Sequence, residues 1–256
     1  MTPSTDTGAH YNVQGRKLFA RIARLERRAP TVLLLAGGGG TTAVWAEVQD
    51  AVAAIAPVCS YDRAGLGESD PAEEKQSLDE IVVDALTLIA EANLAPPFIL
   101  VGHSVGGLHA RHLAAQIPSD VAGLVLADSS HDEQVWRLAE ACPAVLESEY
   151  GALLGDRETL TGAGWLLDGA RSSWRLDVPL IAIEHRRAGR PNPFPGLSEA
   201  DFAAFERAWH AMQSDLATWS RHGELREADR SGHGIPGDQP ELVTAAIADI
   251  LATCRH

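Results

Sequence analysis

The segment Gly102-His103-Ser104-Val105-Gly106 carries the most pointed chemical signal in the chain. A serine hydroxyl is a weak nucleophile unless a base takes its proton and N–H groups receive the charge that develops on the attacked carbonyl. A very tight turn between strand and helix meets both demands. Such a turn forces the serine into a strained backbone conformation and brings strand and helix so close that side chains two residues before and two after would collide. Glycine at 102 and 106 removes the collision. The helix starting behind Ser104 aims its free N–H groups, notably that of Val105, at the developing oxyanion. The pattern gains weight from its context, the apolar strand FILV (98–101) before it and a helix from Val105 to about Gln116 after it.

The remaining elements supply the frame that such a turn needs. Residues 17–25, TVLLL (31–35), PVCSY (57–61), GLVLA (123–127) and LIAI (180–183) read as further strands. Helical spacing appears in Val44, Val48, Val52 and Ile55, and again in Leu78, Ile81, Val82, Ala85, Leu86 and Ile89 behind a capping-box pair, Ser77 and Glu80. It recurs in Phe202, Phe205, Trp209, Met212 and Trp219, and in Leu242, Val243, Ala246, Ile247 and Ile250. Near-continuous apolar strands alternating with helices predict an α/β fold with a mostly parallel central sheet flanked by helices. Residues 131–177, with Trp136, Trp165 and Trp174 but no clear strand, interrupt the alternation. The expected organisation is a core of 1–130 and 178–256 with a small helical lid, 131–177, inserted after the sixth strand. The plainer alternative is a helical excursion that covers a sheet edge.

Composition narrows the function classes. With 45% hydrophobic and 22% charged residues the chain is that of a globular protein, and its net charge of -14 with scattered Lys and Arg argues against a nucleic-acid partner. The N-terminus lacks a signal-peptide pattern, and no stretch approaches the roughly 20 apolar residues of a membrane span. Cys59, Cys142 and Cys254 form no even framework and read as reduced thiols of a cytoplasmic protein. Neither HExxH nor clustered Cys/His spacing points to a metal.

Four segments occur in a telling order: LLLAGGGGTTAVW (33–45), YDRAGLGESD (61–70), GHSVGG (102–107) and RSGHGIPGDQPELV (230–243). Together they resemble the α/β-hydrolase superfamily over nearly the whole chain, and within it a group of bacterial esterase-like hydrolases. The resemblance implies that the glycine run 37–40 is an oxyanion loop, with the N–H of Gly38 joining that of Val105. No GxxxxGK[ST] pattern supports a phosphate cradle there. Ala36 stands where such loops often carry a histidine. His233, between glycines just before the final helix and after Ser104 in chain order, is the implied base. His109 and His112, on the helix behind the serine, read as surface or packing residues, and His10 and His256 are terminal.

The orienting acid is open between two residues. Many family members carry it after the seventh strand, but LIAIEHRRAGRPNPF (180–194) has no aspartate, and Ala188 stands about where one is expected. Asp128, at the end of GLVLADSS, is the location used by other members, and Glu184 is the rival. Asp62 and Arg63 are expected to brace their loop through an ion pair. The implied activity is hydrolysis of an ester-like bond, whether carboxylic ester, lactone or thioester, of a small apolar substrate through an acyl-enzyme, without cofactor or metal. Acyl transfer, cofactor-free peroxidase or lyase chemistry, and non-catalytic ligand binding remain alternatives on the same frame.

Overall fold

The apolar runs are strands of one sheet. The computed structural model describes residues 6–23, 29–72, 76–147, 176–186, 191–194 and 196–254. Its strands are β1 (Asp6–Val13), β2 (Arg16–Ala23), β3 (Thr31–Leu35), β4 (Val58–Tyr61), β5 (Phe98–His103), β6 (Val121–Ala127), β7 (Leu180–His185) and β8 (Gly223–Ala228). They lie in the order β1-β2-β4-β3-β5-β6-β7-β8. Among the described residues only the pairs β1/β2 and β2/β4 are antiparallel. The helices are α1 (Ala46–Ala53), α2 (Leu78–Glu91), α3 (Val105–Gln116), α4 (Gln134–Ala141), α5 (Glu199–Ala217), α6 (Ile235–Asp238) and α7 (Pro240–Thr253).

Successive residues of a strand face opposite sides of the sheet, so a strand covered on both sides must be apolar throughout. β3 is buried at every residue. Leu33 and Leu35 pack with Leu78 and Leu88 of α2 and Leu108 of α3, whereas Val32 and Leu34 pack with Val48 and Val52 of α1 and Ile247 of α7. The capping box forms as the sequence predicts: the Ser77 side chain accepts from the Glu80 amide, and the Ser77 amide donates to Glu80 Oε2 at 2.6 Å.

The sheet has two strands that the sequence reading lacks. β1 is an outer strand of polar composition, joined to β2 through Gln14 and Gly15, whose φ angles of 51° and 81° are the positive pair that a type I′ hairpin needs. β8 (GELREA) closes the other edge, where charged side chains guard the unpaired backbone from other chains.

Of the interval 131–177, residues 134–141 form α4 and 143–147 a short 3-10 turn, while 148–175, with Trp165 and Trp174, lie outside the described residues. Leu138, Cys142 and Val145 pack on Phe205, Trp209 and Met212 of α5, a third apolar cluster apart from the two that flank the sheet. Trp136 is exposed. Among the described residues no helix is long and apolar enough to cross a membrane.

Candidate active site

The parallel strands deliver their C-terminal ends to one edge of the sheet, and the residues picked out by chemistry gather there. Ser104 follows β5 directly and has φ 54°, ψ -129°, a strained conformation for a residue with a side chain. A Cβ built on Gly102 would lie 2.3 Å from Gly106 O, and one on Gly106 would lie 2.2 Å from Leu35 O. The two glycines are therefore the condition for α3 to start against β3 and β5. The loop after β6 locks the turn: the Ser104 amide donates to Ala127 O at 3.1 Å and the Ser130 amide to Ser104 O at 2.9 Å. Arg111, fully buried on α3, donates to Ser129 Oγ, Ser130 O and Asp132 Oδ2 at 2.8–3.0 Å and stacks on Trp219, tying helix and loop together.

His233 comes from the loop between β8 and α6. Its Nε2 lies 3.0 Å from Ser104 Oγ, and its Nδ1 lies 2.6 Å from Asp128 Oδ2. With Nδ1 protonated toward the carboxylate, Nε2 keeps a lone pair for the serine proton, which is the arrangement a general base requires. Asp128 stands one residue beyond β6 with φ 44° and is wholly buried. Burial alone would raise its pKa, but hydrogen bonds from His185 and His233 outweigh that cost and hold the carboxyl well below the usual carboxylate range. Glu184, also buried, faces elsewhere and pairs with Arg186 and His210. The structure thus brings Asp128, not Glu184, to the imidazole. Ala188 lies outside the described residues.

Val105 opens α3, so its amide has no acceptor within the helix. Gly37 is buried against Ser104, with the site of a Cβ 3.0 Å from Ser104 Cβ, and Gly38 follows as an exposed turn residue 4.0 Å from Val105 Cγ1 by the same measure. The amides of Gly38 and Val105 therefore belong to neighbouring segments beside the serine. Asp62 and Arg63 do brace this loop, but through the backbone and not through each other. Arg63 donates to Ala36 O and Gly37 O, at 2.5 and 3.0 Å, while Asp62 accepts from the amides of Thr42 and Glu68. The guanidinium thus organises a loop that has alanine at position 36. His109 and His112 are buried packing residues, with His112 on Asp79 at 2.8 Å.

Sequence reasoning missed three side chains that surround the relay. His103 reaches His233 O from Nε2 at 2.7 Å, pinning the histidine loop; burial above all pushes its pKa down to about 4, so it stays neutral. Trp209 of α5 donates from Nε1 to Asp128 Oδ1 at 2.9 Å and sets its ring edge-on to His233. His185, the last residue of β7, places Nδ1 2.8 Å from Asp128 Oδ2 and Nε2 3.0 Å from Glu206 Oε2. Burial disfavours its charge, yet these two carboxylates more than offset the penalty and raise its pKa to about 9. No local pattern marks any of the three, since each gains its partner from a distant element.

Comparison with known proteins extends the description. The sequence profile of the family described as alpha/beta hydrolase fold matches residues 30–153. Lipase LipV of Mycobacterium tuberculosis (strain ATCC 25618 / H37Rv) is 32% identical over 221 residues, covering 76% of this chain and 83% of LipV. YqjL of Bacillus subtilis (strain 168) is 25% identical over 257 residues, covering 98% and 92%. Among solved structures, a thermophilic esterase from Thermogutta terrifontis superposes with a TM-score of 0.67 at 18% identity, over 98% of this chain and all of that one, a likeness of fold.

Proposed function

The chain belongs to the α/β-hydrolase fold family, and from that premise we propose that it is a serine hydrolase that cleaves an ester-like bond of a small apolar substrate through an acyl-enzyme. The observation that carries the reading is the continuous line Ser104 Oγ, His233 Nε2, His233 Nδ1, Asp128 Oδ2, with steps of 3.0 and 2.6 Å. Ser104 attacks the carbonyl carbon as His233 takes its proton. The amides of Gly38 and Val105 receive the oxyanion, and Asp128 stabilises the imidazolium. His233 then returns the proton to the leaving alcohol, the tetrahedral adduct collapses, and water deacylates Ser104 by the same route in reverse.

A catalytically idle binding protein has no need to hold a serine at positive φ within reach of an imidazole, so the strain at Ser104 favours chemistry over mere binding. The name of LipV, a lipase, supports carboxylic esters as the substrate class. The apolar cluster of α4 and α5, which presents Trp209 beside His233, supports an apolar acyl or alcohol portion. The reading needs no cofactor, nucleic acid or membrane, and Cys59, Cys142 and Cys254, which form no disulfide, fit the cytoplasm.

A fluorophosphonate probe and p-nitrophenyl butyrate test it. The parent protein is expected to be labelled on Ser104 and to turn over the ester, and Ser104→Ala to do neither. Labelling that survives in Ser104→Ala, or a parent that is neither labelled nor active, overturns the proposal.

A further inference from the structure

Glu206 and His210 are four residues apart on α5 and so share one face of the helix. That face meets the end of β7, where His185 projects. His185 Nε2 lies 3.0 Å and His210 Nε2 3.8 Å from the same oxygen, Glu206 Oε2, and one donor atom from each residue falls within 4.8 Å of the others. The two imidazoles are also held by their other nitrogens. His185 Nδ1 donates to Asp128 Oδ2 at 2.8 Å and His210 Nδ1 to Glu184 Oε2 at 3.0 Å, both carboxylates being fully buried. Imidazoles that bind metals are held in this way, because a carboxylate on one nitrogen fixes the tautomer and makes the other more basic.

A second His/carboxylate group, His131, Glu133 and Asp215, is not carried further. There Arg137 lies 2.7 Å from Glu133 and 2.5 Å from Asp215, a fixed cation already between the carboxylates, and His131 Nδ1 is taken by the Glu133 amide.

We propose that His185, Glu206 and His210 bind one borderline divalent cation, Zn²⁺ or Co²⁺, and that the ion acts on the active site through Asp128. Two imidazoles and one carboxylate suit these ions better than Mg²⁺ or Ca²⁺, which take oxygen ligands. The side chains of Glu206 and His210 are 20% and 18% exposed, which gives an ion access from solvent and leaves a position open to water. Binding exchanges the proton on His185 Nε2, released to solvent, for the cation, while the bond from Nδ1 to Asp128 stays. The exchange leaves the site one unit more positive beside Asp128, and that added charge disfavours the imidazolium that His233 must become, so the ion slows the serine's deprotonation.

The metal-binding part stands independently of the hydrolase reading. Protein stripped with EDTA is titrated with CoCl₂ and followed by visible d–d absorption, with equilibrium dialysis for stoichiometry and ZnCl₂ as competitor. One Co²⁺ per chain is expected, displaced by Zn²⁺, and Ser104→Ala is expected to bind like the parent. Glu206→Ala and His210→Ala lie on a partly exposed helix face and are checked for fold by circular dichroism. Each should weaken binding at least tenfold, and Glu184→Gln, which removes an outer carboxylate, by roughly ten- to a hundredfold. Absence of a Co²⁺ spectrum, or binding unchanged in both Glu206→Ala and His210→Ala, overturns the site. The coupling is read by ester turnover: saturating Zn²⁺ should slow the parent, reversibly with EDTA, and spare Glu206→Ala from slowing; turnover indifferent to Zn²⁺ in the parent overturns the coupling.

Discussion

Asp128→Asn is the most searching substitution because the carboxylate is an acceptor on every side. Oδ2 accepts from His233 Nδ1 at 2.6 Å and His185 Nδ1 at 2.8 Å, and Oδ1 accepts from Trp209 Nε1 at 2.9 Å and the His185 amide at 3.3 Å. An asparagine offers one oxygen and one NH₂, so either orientation turns donors against donors. With the NH₂ toward the rings, His233 is driven to protonate Nε2 and has no lone pair left for Ser104. With the NH₂ toward Trp209, the indole and a buried amide lose their acceptor, at about 1–3 kcal/mol for each unsatisfied group. The expected result is a fall in kcat of about 10⁴-fold, the order seen when a triad carboxylate loses control of its histidine, together with a lower urea midpoint. Initial rates with p-nitrophenyl butyrate and equilibrium unfolding check both. Turnover within tenfold of the parent in a folded Asp128→Asn, or a larger loss in Glu184→Gln, refutes the assignment.

The glycines of the strand-to-helix turn give a second test. The Cβ of Gly106→Ala would meet Leu35 O at 2.2 Å and Ala36 O at 2.6 Å, both backbone atoms, so β3 and α3 must part by an appreciable fraction of an ångström or more. Displacement of that order costs about 10²-fold in kcat, and overpacking costs about 1–3 kcal/mol. Gly38→Ala meets nothing nearer than 4.0 Å, and its stability should stay within about 0.5 kcal/mol of the parent; urea titration of both separates the cases, and equal stability refutes the packing argument. A pH series probes His103, whose pKa of about 4 in the fold compares with an ordinary 6.5. Between these values the unfolded chain binds a proton that the native state does not, so this contribution to stability is present above pH 6.5 and is lost as pH falls toward 4. From pH 7 to pH 5 the loss amounts to at most about 2 kcal/mol, and the pH dependence of the urea midpoint should be correspondingly flatter in His103→Gln; an identical pH dependence in the two proteins refutes it.

What could be read locally was read correctly because its physics is local. The tight turn needs glycine at 102 and 106 whatever surrounds it, and the buried strands β3, β5, β6 and β7 must be apolar on both faces to be covered by helices. The edge strands β1 and β8 escaped notice because an edge has one free side and tolerates charge; only the Gln14-Gly15 pair could have exposed the first hairpin.

The sequence by itself determined that a serine would be presented at the C-terminal edge of a parallel sheet, with a glycine loop and a late histidine to lie near it. Tertiary structure alone put Asp128 against His233 and Glu184 against His210, for both lie at the C-terminal ends of parallel strands and these partners arrive from 105 and 26 positions away. It also gave the carboxylate its second imidazole and its indole, and set a pair of histidines around Glu206. These decisions rest on hydrogen bonds between β6, β7, α5 and the histidine loop, and such bonds depend on how the elements are stacked in space, which no spacing along the chain encodes.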